Sequence, residues 1–233
     1  MKCVICNSDI RGRYLIDNWN QAICDCHIIE YCSSCGRFVR PTDLHLADGR
    51  CICSHCAPSI VSLPTHIQWV ETRVRAILAS YGISDITNDV PIHLVTPSEM
   101  AKLHGTKQIN LLQPGLTKTM QISALLFSHR KHKIYIFNQM PKIQFAGVLA
   151  HELLHVWQNE KGISLPPPLT EGFCNLGSYV VYKSIGNELA MHMIQNLEND
   201  PSPVYGDGFR KVFEVYKREG NLRKTIDAIK FNI

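Results

Sequence analysis

The chain has 233 residues, 45% hydrophobic and 19% charged, which is ordinary globular composition with room for one modest domain and a small one. The formal charge is +4, and residues 1–57 hold few Lys or Arg, so nothing in charge or composition calls for nucleic acid. No apolar run reaches about 18 residues and MKCVICNSDI lacks the regions of a signal peptide, so no membrane span and a cytoplasmic location are expected.

In chain order, a Cys-rich segment comes first. All ten cysteines except Cys174 lie in residues 3–56. In a reducing compartment, C-x2-C spacing points to metal, while export would make the same residues a disulfide framework. Cys3-x2-Cys6, Cys24-x2-His27, Cys32-x2-Cys35 and Cys53-x2-Cys56 form two four-ligand sets. Thiolate and imidazole at this spacing suit closed tetrahedral zinc. Cys26 is an alternative to Cys24, and Cys51 or His55 to a ligand of the second set. Closed ligand sets hold a shape and do no chemistry, and with so small a core the metal supplies most of the folding energy.

Residues 57–64 read as a boundary, giving a zinc-binding domain over 1–57 and a second domain over 62–233. Ile67, Val70, Val74, Ile77 and Leu78 recur at helical spacing, and Gly82 should end that helix. Val90–Thr96 reads as a strand and Pro97-Ser98-Glu99 as a short helix start. Met120–Ser128 and Lys133–Asn138 read as a strand pair with the polar connection 129–132 between them. Either Ile122–Leu126 or Ile134–Phe137 is a candidate edge for an extended peptide, an internal strand being the plain alternative.

A helix over about 141–158 carries His151-Glu152-Leu153-Leu154-His155. Residues four apart share a helix face, so both imidazoles can meet one zinc, with Glu152 beside them as general base toward a zinc-activated water. No third histidine follows in VWQNEKG. Pro166-Pro167-Pro168 reads as a stiff extended connector, followed by a helix from about Thr170, its cap, to Ser184. Glu171 near its start is the third-ligand candidate, and Glu160 is the competing carboxylate. Asn175, one turn on, suits a partner for a zinc-bound imidazole or a plain surface position. Tyr179 and Tyr182 are candidate oxyanion donors, with plain packing the alternative for each; Cys174 reads as packing. A last helix is expected over roughly 208–218.

These features appear with GLT at Gly115–Thr117, AGVLAHELLHVW at Ala146–Trp157 and TEGFCNLGSYVVYK at Thr170–Lys183. The order resembles the LIM-domain, ubiquitin-activated zinc peptidases that limit organ growth in plants. The resemblance implies an α+β chain: a LIM-like double zinc ribbon, then a mainly helical gluzincin-like domain with a small sheet. It further implies an endopeptidase cutting regulatory proteins, with one catalytic zinc on His151, His155 and Glu171, Glu152 as base, and two structural zincs. The LIM-like module would bind partners or regulate access. Two departures stand out. The two residues before Cys3 leave no room for a ubiquitin-interacting segment in this sequence, so activation by ubiquitin is not expected from it and ubiquitin stays open as a partner. The first site reads Cys24-x2-His27 where the family usually has His-x2-Cys. A silent or latent adaptor is the alternative, and the intact Glu152 argues against it.

Overall fold

The computed structural model describes residues 1–124 and 127–231, in two compact units, Met1–Ile60 and Val61–Ile233. Small sheets come early and helices late, an α+β arrangement.

The first unit is built from two similar halves. In one, β1 (Tyr14–Ile16) pairs antiparallel with β2 (Ala22–Cys24); in the other, β3 (Leu44–His45) pairs with β4 (Cys51–Ile52). Each ribbon follows a Cys-x2-Cys turn of the same construction. Asn7 N–H donates to Cys3 O at 2.9 Å, and Gly36 N–H to Cys32 O at 2.9 Å. The residue after each second cysteine is left-handed, Asn7 at φ 61° and Gly36 at φ 72°, and Asn and Gly are the types that tolerate this. The buried carboxylate of Asp17 accepts from the backbone N–H of Trp19, Gln21 and Phe38, and so ties the first ribbon to the second turn. One apolar cluster in this unit is only Cys3, Ile23 and Phe38 with a few half-buried neighbours. Among the described residues the unit's other buried apolar side chains are Ala22, Val39, Ile52 and further cysteines, which leaves little hydrophobic free energy to hold sixty residues. A short helical turn over Ala57–Ser59 and β5 (Ile60–Val61) lead out.

The second unit opens with α1 (Pro64–Ser80), whose buried Val70, Val74 and Leu78 are the expected stripe; Gly82, at φ +96°, lies in the turn that follows. After β6 (Ile92–Val95), Thr96 and Glu99 form a reciprocal capping box on α2 (Pro97–Leu103). The sheet order is β6-β8-β7, with β7 (Gly115–Ala124) antiparallel and β6 parallel to β8 (Phe127–Phe137). After β9 (Met140–Pro141) come five helices: α3 (Lys142–Glu160), α4 (Pro167–Ile185), α5 (Glu188–Asn199), α6 (Gly206–Glu219) and α7 (Leu222–Phe231). One core, including Phe145, Leu149, Leu153, Trp157, Phe173 and Phe209, gathers α3, α4 and α6.

The structure revises several expectations. Residues 129–132 are not a connection between strands; they lie inside β8, and His132 is buried with Nε2 2.5 Å from Glu160 Oε1. Polar character misled because Thr119 and Glu160 give that ring two partners. Ile134–Phe137 is in the central strand, paired on both sides, so it offers no edge; Ile122 is on edge strand β7, and Leu125 and Leu126 lie outside the described residues. Pro167 and Pro168 are helical, since the first turn of a helix needs no N–H and their φ is already set. Thr170 therefore lies inside α4 instead of capping it. The last helix is α7, which begins four residues past the expected end at 218, and α5 is a further helix beyond those expected.

Candidate metal centre

In α3, His151 and His155 project from one face toward the second turn of α4. His151 Nε2 is 3.0 Å from His155 Nε2. Glu171 Oε2 is 3.1 Å from the first and 3.4 Å from the second. Four tetrahedral ligands about 2.05 Å from a zinc ion lie about 3.3 Å from one another. The three atoms therefore have the separations of one face of such a cage. Asn175 Oδ1, one turn past Glu171, accepts from His151 Nδ1–H at 2.9 Å, which keeps the Nε2 lone pair directed at the convergence point. Its Nδ2 donates to Tyr205 O at 3.3 Å, so the orienting amide is itself held.

The electrostatics are those of a cation site. Burial lowers the proton affinity of both imidazoles, but Glu171 together with the neighbouring negative charges, Glu152 among them, outweighs it and raises each. Burial raises Glu171, and the two rings outweigh it and hold the carboxyl down to about 2. Cys174 Sγ also lies within 4.8 Å of ring nitrogens. Burial drives that thiol strongly upward, and Gln158 Nε2 donates to it at 3.0 Å. A protonated sulfur already accepting a hydrogen bond is a weaker third ligand than the Glu171 carboxylate.

Glu152, one residue on and about 100° round the helix, faces β7. Thr117 Oγ1 donates to Glu152 Oε2 at 2.6 Å. Two residues earlier on the same strand face, Gly115 has no side chain, and a Cβ there would lie 2.4 Å from Glu152 Oε1 and 2.8 Å from Val148 Cγ1. The Gly-x-Thr of β7 thus cradles this buried carboxylate by a donor at one position and a missing atom at the other.

The other carboxylate and tyrosine candidates lie elsewhere. Glu160 is engaged by His132. Tyr179 packs edge-on against Phe213, 4.7 Å between ring centroids, with Phe209 and Tyr216 around it. It is eight residues past Glu171, about 12 Å along the axis. The Tyr182 hydroxyl is wedged against Gly147, where a Cβ would overlap it. Both are packing residues, and neither is brought to Glu152. Tyr205, just before α6, is tied to the site among the described residues through its carbonyl, which accepts from Asn175 Nδ2. Its hydroxyl accepts from Gln113 Nε2 at 2.7 Å. Burial raises this phenol, Gln113 opposes, and the charges of Glu171 and Glu152 raise it further. No spacing links Tyr205 to the α3 motif, so the sequence held no direct signal; the Gly-Asp-Gly after it is the nearest hint of a tight approach.

The N-terminal unit holds two four-residue groups with ligand atoms within 4.8 Å of one another, Cys3-Cys6-Cys24-His27 and Cys32-Cys35-Cys53-Cys56. Zinc-bound sulfurs at about 2.3 Å lie about 3.8 Å apart. Cys6 Sγ–Cys24 Sγ is 3.9 Å and Cys35 Sγ–Cys53 Sγ is 3.6 Å. His27 Nε2 is buried with no hydrogen-bond partner among the described residues, which a metal would supply. Cys51 groups instead with Glu30 and His45. These clusters can hold zinc as a LIM-type module does.

Residues 180–232 match the family described as DA1-like, Protein DA1. Protein DA1 of Arabidopsis thaliana is 24% identical, covering 98% of this chain and 55% of its own length. Protein DA1-related 7 of the same plant is 21% identical, over 97% and 52%. The LIM domain-containing protein HDR3 of Oryza sativa subsp. japonica is 21% identical, over 91% and 56%. The chain spans about half the length of these curated relatives, and no solved structure matches it significantly. At low identity, then, the chain is similar along nearly its whole length to DA1-type proteins, LIM-domain relatives among them.

Proposed function

We propose that this protein is a zinc-dependent endopeptidase, with His151, His155 and Glu171 as ligands and Glu152 as general base. The observation that carries the reading is the triangle of two imidazole nitrogens and a carboxylate oxygen, 3.0–3.4 Å on a side, with a second carboxylate cradled beside it. A zinc ion held there would supply Lewis acidity toward a carbonyl and acidify a water to a pKa of about 7. Glu152 would serve as the base that accepts a proton from the attacking water and as the acid that passes it to the leaving amine. Thr117 fixes one oxygen of Glu152 and leaves the other for the proton. Asn175 locks the His151 tautomer. Tyr205 accepts from Gln113 and keeps its own O–H to donate to the developing oxyanion, in place of Tyr179 and Tyr182. The exposed outer edge of β7, with Met120 and Ile122 along it, suits an extended peptide. The N-terminal unit is assigned partner binding or control of access. Among the described residues no helix is long and apolar enough to cross a membrane.

The test compares wild type with Glu152→Gln. Both should bind the same zinc, about three ions per chain, and only wild type should cleave an unstructured protein. Equal cleavage by the two would remove Glu152 from the chemistry. A zinc-loaded, inert wild type would favour the adaptor.

A further inference from the structure

The first zinc cluster has one thiol too many. Cys3, Cys6, Cys24 and His27 complete a four-ligand cage, and four ligands close a structural zinc site. Cys26 is outside this set and is exposed. Strand β2 ends at Cys24, and a turn closed by His27 N–H to Cys24 O at 3.5 Å folds Cys26 back. Cys26 Sγ then lies 3.0 Å from Cys24 Sγ. That is shorter than the roughly 3.8 Å between two sulfurs on one zinc, as Cys6 and Cys24 sit, so the two sulfurs are in direct contact without Cys26 being a ligand.

We propose that Cys24 and Cys26 form an oxidation site whose disulfide opens the first zinc cage, with a peroxide as the oxidant. The accessible Cys26 sulfur attacks peroxide; the O–O bond breaks, one water leaves and a sulfenic acid remains. The Cys24 thiolate sulfur attacks the Cys26 sulfur, the S–S bond forms, the S–O bond breaks, and the departing hydroxide takes a proton from the solvent and leaves as the second water. Two electrons pass from the sulfur pair to peroxide. Cys24 no longer has a thiolate to offer, so three ligands remain. A bridge across one residue is strained and exposed, the kind that thiol reductants reverse.

The experiment uses the reduced, zinc-loaded full chain and its Cys26→Ser and Cys26→Ala variants, none of which requires peptidase activity. Zinc per chain is measured first. Hydrogen peroxide is then added in the presence of a chromogenic zinc chelator, and disulfides are mapped by mass spectrometry after alkylation. Expected are equal starting zinc in all three, loss of about one ion per chain from wild type alone, and a bridge mapped to Cys24–Cys26. Zinc deficiency in both variants before peroxide would make Cys26 a cage ligand and overturn the proposal. So would release from the variants at the wild-type rate, or a bridge mapped to other cysteines. A wild type with no zinc in the N-terminal unit at the outset would instead refute the metal reading of the cluster.

Discussion

Replacing Gly115 by alanine adds one methyl group beside the proposed base. The new Cβ would stand 2.4 Å from Glu152 Oε1 and 2.8 Å from Val148 Cγ1, whereas ordinary contact is about 3.4 Å or more. Relief therefore needs a shift of about 1 Å. Val148 sits on the packed face of α3, and β7 is fixed by its ladder to β8, so the freer partner is the Glu152 carboxylate. Moving it stretches the 2.6 Å bond from Thr117 and carries the oxygen off its line to the water. A misplacement of about 1 Å costs on the order of 100-fold in rate, and the overpacking about 1–3 kcal/mol in stability. Zinc should remain, since no ligand is touched. The assay is kcat on an unstructured protein substrate, alongside zinc content and thermal melting of Gly115→Ala. Wild-type kcat with unaltered melting would refute the claim that this glycine makes room for the carboxylate.

Tyr205→Phe should lower kcat by on the order of 100-fold with KM and zinc content little changed, whereas Tyr179→Phe should leave kcat alone; steady-state kinetics decides between them. Gly172→Ala puts a Cβ 2.3 Å from the Gly208 carbonyl, a backbone atom that cannot rotate away, so a loss of about 3 kcal/mol is expected in denaturant melts of the variant. Asp85 accepts from Trp157 Nε1 at 2.9 Å and pairs with Lys161 and Arg223; burial raises its carboxyl, and these three partners outweigh it and hold it well below the usual range. A depressed carboxyl stabilises the fold above its unfolded pKa near 3.9 and ceases to as pH falls toward the folded value. Asp85→Asn should therefore lower the stability at pH 7, and with it the melting temperature, the loss being no more than about 1 kcal/mol per exposed ion pair. The gap to wild type should close progressively below about pH 4.

What the sequence revealed was whatever local spacing encodes. An i, i+4 histidine pair must share a helix face, and Cys-x2-Cys turns must bring sulfurs together, so both appear before any fold is known. Glu171 was reachable because a short connector brings α4 straight back against α3. The cradle of Glu152 was not, because Thr117 and Glu152 meet across 35 residues and nothing local pairs them. Tyr179 and Tyr182 were misplaced because helical phase gives direction around α4 but not distance from its second turn. The basic stretch 129–132 hid a strand because burial of His132 depends on Glu160, 28 residues later. For α5 the signal was present: Asn187 caps it, and Ala190, Met193 and Ile194 line one face.

Zinc per chain in wild type against Glu171→Ala, with circular dichroism to confirm the fold, tests the central claim most directly. The account predicts about three ions falling to about two, with the N-terminal pair untouched and the helices intact. A folded variant that keeps every ion of the wild type would show that this carboxylate closes no cage with His151 and His155.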